Sequence, residues 1–299
     1  MNYLLFYSLS ICIVLNGGGA RQTTNDHKPT NDLVISELYD PLTNRWTVSG
    51  SMSRFRLFHT ATLLNSGNVL VCGSGGYTGY TASCEIYDAS TGQWHGAASM
   101  TIPRGFHTAT LLKSGQVLVT GGSTYNNGAL ASCEIYDPVA DKWTPTANMT
   151  GARSDHTATL LSSGKVLITS DADSSQIYDP TTKQWSTLKS MGPKARYSTT
   201  ATTLKSNKVL VIAGIELAKY SGTTDIYDPT TDEWDTVGSM VTPRSRHTSI
   251  LLNSGKVLAT GGVGDADFLA SCELYDPSTN KWMAIDNMTE ERSSHTTTL

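Results

Sequence analysis

An internal repeat is the feature of this sequence that most restricts its fold. The dipeptide Tyr-Asp occurs six times, at steps of 48, 49, 42, 49 and 48 residues. A tryptophan follows each of these tyrosines by seven residues, and a methionine follows each tryptophan by six. The tyrosines are Tyr39, Tyr87, Tyr136, Tyr178, Tyr227 and Tyr275, and the tryptophans are Trp46, Trp94, Trp143, Trp185, Trp234 and Trp282. A period of this length indicates an array of similar supersecondary units.

A histidine and an arginine hold fixed places in the same repeat. The histidine stands thirteen residues after the tryptophan, except in the fourth copy, where Ser198 takes that place. An arginine precedes it by three residues in five copies, and the fourth copy has Ala195 there with Arg196 beside it. The repeated histidines are His59, His107, His156, His247 and His295. Because they belong to five different units, we expect each to be hydrogen-bonded within its own unit, and we predict no metal site and no cofactor.

Each repeat divides into four short strands. In the second copy, the strand His-Thr-Ala-Thr-Leu-Leu begins at His107 and ends at a tight turn whose glycine, Gly115, takes a positive φ. Val-Leu-Val-Thr forms a second strand, Cys-Glu-Ile-Tyr a third, and Trp143 lies on a fourth after an Asp-Pro turn. Four strands at this period predict an all-β fold, a β-propeller whose large Tyr, Trp and Met side chains fill the space between blades.

The order Arg-x-x-His, Gly-Gly, Tyr-Asp and Trp at fixed offsets resembles the kelch repeat, over residues 33–299. The run Ala-Thr-Leu-Leu-x-Ser-Gly-x-Val-Leu-Val-x-Gly-Gly is also similar to repeats in the propeller domain of galactose oxidase-like proteins. The resemblance implies a kelch-type β-propeller of six repeats, with five full blades and one split, incomplete blade. Residues 33–47 supply only the last two strands of that blade, and Leu299 lies within another first strand. We therefore expect a propeller truncated at the C-terminus.

The segment before the repeats predicts export. Residues 4–15 form an uncharged apolar run, and small residues lead to a cleavage site after Ala20. The expected domains are a signal peptide over 1–20, a polar linker over 21–32 and the propeller over 33–299, in a secreted or extracellular protein. The absence of Lys and Arg before the apolar run leaves a signal anchor as the alternative. Asn148 and Asn287 begin Asn-x-Thr sequons, which export would expose to glycosylation.

Charge and cysteine placement exclude further classes. The chain has 22 Lys and Arg against 26 Asp and Glu, with no basic run, which argues against nucleic acid and anionic membranes as partners. Cys84, Cys133 and Cys272 share one place in the repeat, so they lie on different blades, too far apart for disulfides. Buried free thiols are therefore the favoured interpretation, and Cys72 with Cys84 is the one pair on neighbouring strands.

Functional residues are expected where the sequence varies within this constant frame. The connections between the second and third strands and those between blades emerge on one face of a propeller, because chain direction alternates within each blade. The residue before the repeated histidine also changes completely from copy to copy. Aromatic and charged side chains in these places suit a recognition surface. The candidate residues of this loop-rich face are Phe58, Tyr77, Tyr80, Phe106, Tyr125, Asp155, Tyr197, Arg246 and Phe268.

These observations favour a non-catalytic binding module with a protein, peptide or glycan partner. Two alternatives stay open. Resemblance to galactose oxidase-like proteins implies a copper-radical site built from two Tyr, two His and a Cys joined to one Tyr, but the repeat tyrosines and histidines already have packing roles. The second alternative is that the chain is a structural part of a larger adhesion protein.

Overall fold

The computed structural model describes most of the chain. The described residues are 2–6, 11–15, 34–40, 45–75, 79–125, 128–169, 175–188, 196–265 and 267–294. Within them the structure has 25 β-strands in six antiparallel sheets and no α-helix. The predicted all-β, kelch-type propeller is confirmed, and each sheet is one blade. The part of the chain that the structure describes contains no helix long and apolar enough to cross a membrane.

The chain divides into two compact units, Met1–Asn148 and Met149–Leu299. The first unit holds three blades, each with its strands paired in chain order. Blade 1 contains β1 (Asn2–Phe6), β2 (Ile11–Leu15), β3 (Ile35–Asp40) and β4 (Arg45–Ser51). Blade 2 contains β5 (Thr60–Leu63), β6 (Val69–Ser74), β7 (Thr81–Asp88) and β8 (Gln93–Ala97). Blade 3 contains β9 (Thr108–Leu111), β10 (Val117–Thr120), β11 (Cys133–Asp137) and β12 (Lys142–Thr146).

The second unit holds the other three blades. Blade 4 contains β13 (Thr157–Leu160), β14 (Val166–Thr169), β15 (Gln176–Asp179) and β16 (Gln184–Thr187). Blade 5 contains β17 (Arg196–Tyr197), β18 (Thr200–Thr203), β19 (Val209–Glu216), β20 (Lys219–Asp228) and β21 (Glu233–Val237), with both β17 and β18 paired to β19. Blade 6 contains β22 (Thr248–Leu251), β23 (Val257–Thr260), β24 (Cys272–Asp276) and β25 (Lys281–Ile285).

The repeated residues occupy one register in successive blades. In blade 3, Val117 lies opposite Tyr136, which lies opposite Trp143. The second strand β10 is buried along its whole length. The Trp143 ring lies 5.0 Å from the Tyr136 ring, and its indole N–H donates to the carbonyl of Ala98 in blade 2 at 2.9 Å. The repeated aromatic residues thus pack one blade against the next, as predicted.

The first blade has four strands in the structure, where the sequence analysis expected only its third and fourth. The added strands β1 and β2 come from the segment interpreted as a signal peptide. Cys12 of β2 lies opposite Tyr39, which is the register that Val69 and Tyr87 keep in blade 2. A run of five apolar residues is compatible with a second strand, because such strands are apolar throughout. Cleavage after Ala20 stays a prediction, and the linker over 21–32 lies outside the described residues.

In the fourth repeat, the arginine and histidine positions, which lie in blade 5, come one residue later than the repeat spacing predicts. Counting placed Ala195 at the arginine position and Ser198 at the histidine position. In the structure Arg196 makes the repeated arginine contacts, with its guanidinium donating to the carbonyls of Ala213 and Thr223. Thr199 therefore replaces the histidine, and Ser198 precedes it. The reason is a segment between Trp185 and Arg196 that is one residue longer than in the other copies.

One cysteine pair differs from the favoured expectation of free thiols. Cys72 in β6 and Cys84 in β7 lie directly opposite each other, with Cα atoms 4.2 Å apart, and form a disulfide. Cys133 and Cys272 are buried free thiols, as expected. Cys133 and Cys272 form no such bridge because the residue opposite each of them on the second strand is threonine.

We expect reduction of the Cys72–Cys84 disulfide to lower the free energy of unfolding by about 3 kcal/mol, because the bridge closes a loop of about a dozen residues in the unfolded chain. Urea unfolding with and without reductant, followed by tryptophan fluorescence, measures the change. A Cys72→Ala/Cys84→Ala variant should not respond to reductant. An identical urea midpoint for the reduced and oxidised wild-type protein would contradict the expectation.

Candidate functional site

Buried arginines support the loops of the candidate face. In blade 3 the Arg104 guanidinium donates to the carbonyls of Gly121 and Ser132 at 2.7 and 2.9 Å, and to the Glu134 carboxylate at 2.9 Å. Burial lowers the pKa of Arg104, and the Glu134 charge opposes this shift. The network fixes the end of the second strand, from which the loop begins. The corresponding ion pairs are Arg56–Glu85, Arg196–Asp225 and Arg244–Glu273.

Sequence analysis missed the acidic members of these pairs. Their signal was present, since an Asp or Glu stands two residues before the repeat tyrosine in blades 2, 3, 5 and 6. Blade 4 has Gln176 in this place, and its amide oxygen accepts a hydrogen bond from the Thr150 backbone N–H at 3.1 Å. Three carboxylates accept the equivalent backbone bond: Glu85 from the N–H of Ser53, Glu134 from that of Thr101 and Glu273 from that of Val241, at 2.7 to 2.8 Å.

Two of the repeated histidines link neighbouring blades, so the expectation of a hydrogen bond within one blade is wrong for His107 and His247. Nε2 of His107 is hydrogen-bonded to Oγ1 of Thr60 in blade 2 at 2.8 Å. His247 makes the same bond to Thr200 in blade 5. The first-strand threonine Thr108 is hydrogen-bonded to Thr120 on the second strand of its own blade at 2.7 Å. No three His, Cys, Asp or Glu side chains among the described residues are placed to hold a metal ion.

Burial of the histidines predicts instability in acid. Burial lowers the pKa of His59 to about 4 and that of His156 to about 3, and a nearby arginine adds to each shift. In the unfolded chain these groups bind protons near pH 6.5. The contribution of each histidine to the free energy of unfolding is therefore complete above that pH. It falls with decreasing pH until the folded-state pKa is reached, by about 3 to 5 kcal/mol per histidine.

Urea unfolding between pH 7.5 and 4.5 tests this dependence. We expect the stability of His156→Thr to fall less steeply with decreasing pH than that of the wild type, since threonine does not titrate. The fourth repeat already carries threonine in this place, at Thr199, so the variant is compatible with the fold. His95→Gln is the control, because His95 is exposed. Parallel pH profiles for the wild type and His156→Thr would show that His156 does not contribute.

The residue before the repeated histidine has the same unusual backbone in every described copy. We call it the display position, and it has a left-handed φ between 50° and 56° in each case. For residues other than glycine this conformation costs about 1 kcal/mol or more. In the first unit the display residue Phe106 donates its backbone N–H to the carbonyl of Phe58 at 2.9 Å. The display residues are Phe58, Phe106, Asp155, Ser198, Arg246 and Ser294.

The first unit brings four of the predicted site residues together as two ring pairs. Phe58 and Phe106 stack with their ring centroids 3.8 Å apart. Tyr80 and Tyr125 meet edge to face at 5.6 Å, and the Tyr125 hydroxyl donates to the Tyr80 carbonyl at 2.7 Å. Phe58 is 44% exposed and Tyr125 is 56% exposed. We call these four residues the aromatic patch.

Glycines place the two ring pairs side by side. The Gly75 N–H donates to the carbonyl of Leu57, beside Phe58, at 2.9 Å. A Cβ atom on Gly75 would lie 2.8 Å from the Tyr80 ring, so that ring lies directly on the glycine. A Cβ on Gly105, beside Phe106, would lie 2.7 Å from the Gly75 Cα. Both ring pairs therefore lie on the same closely packed backbone around Gly75 and Gly105. A side chain at either glycine would disrupt this packing.

Four other predicted site residues belong to the second unit. Asp155 and Arg246 are exposed display residues of the second unit. Tyr197 is not a display residue, because the offset of the fourth repeat gives that place to Ser198, but it is 38% exposed on β17. Phe268 is 49% exposed, and its backbone bridges to Val263 within the loop of blade 6. Tyr77 lies outside the described residues.

Comparison with known proteins agrees with this architecture. Residues 104–150 and 243–289 match the kelch motif. These two repeats are kelch repeats. No curated protein matches the chain in sequence. Among solved structures, a fungal alcohol oxidase of the AA5 family in complex with copper has a TM-score of 0.72 and 17% sequence identity. The match covers 86% of this kelch chain but only 59% of the oxidase, so it shows a shared fold.

The described residues of this kelch propeller do not fit a copper site of Tyr, His and Cys ligands. The hydroxyls of Tyr136 and Tyr227 donate to Asp141 and Asp232, at the turns before the fourth strands. Burial raises the pKa of Tyr275 to about 12, which disfavours its ionisation to a phenolate ligand. Nε2 of His107 is bonded between blades, and the Cys133 thiol donates to the carbonyl of Ala131.

Proposed function

We propose that this chain is a non-catalytic binding module that takes a protein or peptide partner on the aromatic patch. Kelch propellers generally mediate protein–protein interactions. The observation that carries the proposal for this chain is the cluster of two ring pairs packed on closely approaching backbone, in which Phe58 and Tyr125 are exposed and Tyr80 and Phe106 are half-buried. A glycan is the alternative ligand of the same patch, and no observation of the described residues favours the oxidase beyond the shared fold.

Preorganisation supports a recognition role for these rings. Rigid aromatic side chains supply large contact areas and lose little conformational entropy on binding. The Tyr125 ring is held by its hydroxyl, and the two phenylalanines are held by their stacking and by the backbone hydrogen bond that joins them. The strained φ of Phe58 and Phe106 is consistent with a functional site, because strain of this kind persists only where the surrounding structure maintains it.

Export and glycosylation belong to the same proposal. Asn148 and Asn287 are both exposed, and each precedes a repeat methionine. Expression in a eukaryotic secretory host, followed by glycosidase treatment, tests both points. We expect a secreted protein whose mass falls after treatment, and an Asn148→Gln/Asn287→Gln variant that shows no such change. Retention of the protein inside the host cells would argue against export.

Selection from a random peptide library displayed on phage tests the binding role. We expect peptides enriched on the wild-type protein to bind Phe58→Ala/Tyr125→Ala at least about tenfold more weakly, since aromatic anchors carry much of the energy of such contacts. Val139→Ala is the matched control, because Val139 is an apolar residue of the same unit, 97% exposed, at the turn between β11 and β12. Equal binding to both variants, or no enrichment over a column without protein, would overturn the proposal.

A further inference from the structure

The second unit presents a charged surface at its display positions. Asp155, Ser198 and Arg246 come from blades 4, 5 and 6, and backbone hydrogen bonds join them in order. The N–H of Ser198 donates to the Asp155 carbonyl at 3.3 Å, and the N–H of Arg246 donates to the Ser198 carbonyl at 3.4 Å. Their left-handed backbone fixes where each side chain begins. Asp155 and Arg246, an acid and a base, are thus held two display positions apart.

The middle residue of this row is much less exposed than the residues on either side of it. Ser198 is only 7% exposed, whereas Asp155 and Arg246 on either side are both exposed. The next residue, Thr199, stands where other blades carry the larger histidine, and it is 8% exposed. Its Oγ1 has no hydrogen-bond partner within the described ranges. We call Asp155, Ser198, Thr199 and Arg246 the charged notch.

The two charges of the notch do not neutralise each other. The Ser198 hydroxyl donates to the Asp155 carboxylate and so orients it. Over the residues that the structure describes, the Arg246 guanidinium takes part in no ion pair and no side-chain hydrogen bond. An exposed acid and an exposed base on one rigid row, unpaired with each other, form a surface complementary to a ligand with both charges.

We propose that the charged notch binds an extended polypeptide segment with a basic and an acidic side chain two residues apart. The basic side chain contacts Asp155 and the acidic side chain contacts Arg246. Two hydrogen-bonded backbone steps of about 5 Å each separate these residues. In an extended peptide, residues i and i+2 project on the same side about 7 Å apart, and long Lys and Glu side chains cover the remaining distance. The ammonium and carboxylate of a free amino acid are too close together to reach both. The inference rests on the proposed function only in taking a polypeptide as ligand, since it uses no residue of the aromatic patch.

Synthetic twelve-residue peptides with one Lys-Ser-Glu or Glu-Ser-Lys segment in a neutral background test the inference by fluorescence anisotropy at low salt. We expect one of these orders to bind about tenfold more tightly than the same peptide with Lys or Glu replaced by glutamine. Asp155→Asn should remove the preference for lysine, and Arg246→Gln the preference for glutamate. Asparagine still accepts the Ser198 hydrogen bond, so the fold is preserved.

Two control variants separate this inference from the proposed function. Asp286→Asn removes an exposed acid just after β25 and should leave the peptide preference unchanged. Phe58→Ala/Tyr125→Ala should also keep the preference, although it loses the library-selected peptides. If all peptides bind the wild type equally, or if Asp155→Asn and Arg246→Gln retain the wild-type preference, the notch does not bind such a segment.

Discussion

Replacing Glu134 with alanine is expected to lower the free energy of unfolding by about 3 to 5 kcal/mol. The side chains of Arg104 and Glu134 are 0% and 2% exposed, with a guanidinium nitrogen and a carboxylate oxygen 2.9 Å apart. Without the carboxylate the arginine keeps a buried charge that has lost its counter-charge. The backbone N–H of Thr101 also loses its hydrogen-bond acceptor.

Urea unfolding at neutral pH measures this loss, and an exposed ion pair gives the comparison. Lys208 pairs with Asp228 at 2.9 Å, but its side chain is 40% exposed, so Lys208→Ala should cost less than about 1 kcal/mol. Glu134→Gln is the second variant if Glu134→Ala does not fold, because blade 4 already carries Gln176 in this place. A similar loss for Glu134→Ala and Lys208→Ala would contradict the role given to the buried pair.

Replacing Trp143 with alanine is expected to cost about 3 to 5 kcal/mol through a cavity between blades 2 and 3. Trp143 is only 6% exposed, packs on the Tyr136 ring and donates its indole N–H to Ala98. The loss combines the removed apolar contacts with a carbonyl that no longer accepts a hydrogen bond from the indole. It should appear as a lower urea midpoint with the slope of the transition unchanged.

Met283→Ala is the matched control for this prediction. Met283 follows a repeat tryptophan on a fourth strand, as Thr144 follows Trp143, but its side chain is 57% exposed and points away from the neighbouring blade's core. We expect a loss below about 0.5 kcal/mol for this variant. A loss under about 1 kcal/mol for Trp143→Ala would contradict the packing of blades through their tryptophans.

The fold could be predicted from the sequence because its packing rule is repeated. Tyr136 and Trp143 pack as their spacing implied, and the same spacing recurs along the chain. Counting failed in the fourth repeat, where one extra residue shifts Arg196 out of phase while its contacts stay the same. An acidic residue two before the tyrosine would have identified the arginine's partner, and Asp225 is that residue.

The candidate site could be predicted only as a set of residue types. Phe58 and Phe106 were expected on one face, but their stacking depends on a left-handed backbone that the sequence pattern does not reveal. The Cys72–Cys84 disulfide likewise depends on strand register, since the same repeat position holds free thiols elsewhere. The bond from His107 to Thr60 joins two blades, and a spacing within one repeat does not reveal such a contact.

Photo-crosslinking at Phe58 tests the central claim most directly. A benzoylphenylalanine residue replaces Phe58 in one protein and Val139 in another, and each is irradiated with a peptide selected on the wild-type protein. The account predicts a covalent adduct at position 58 and none at position 139, because the aromatic patch is the proposed binding surface of the first unit. Adduct formation at position 139 alone, or equally at both positions, would contradict it.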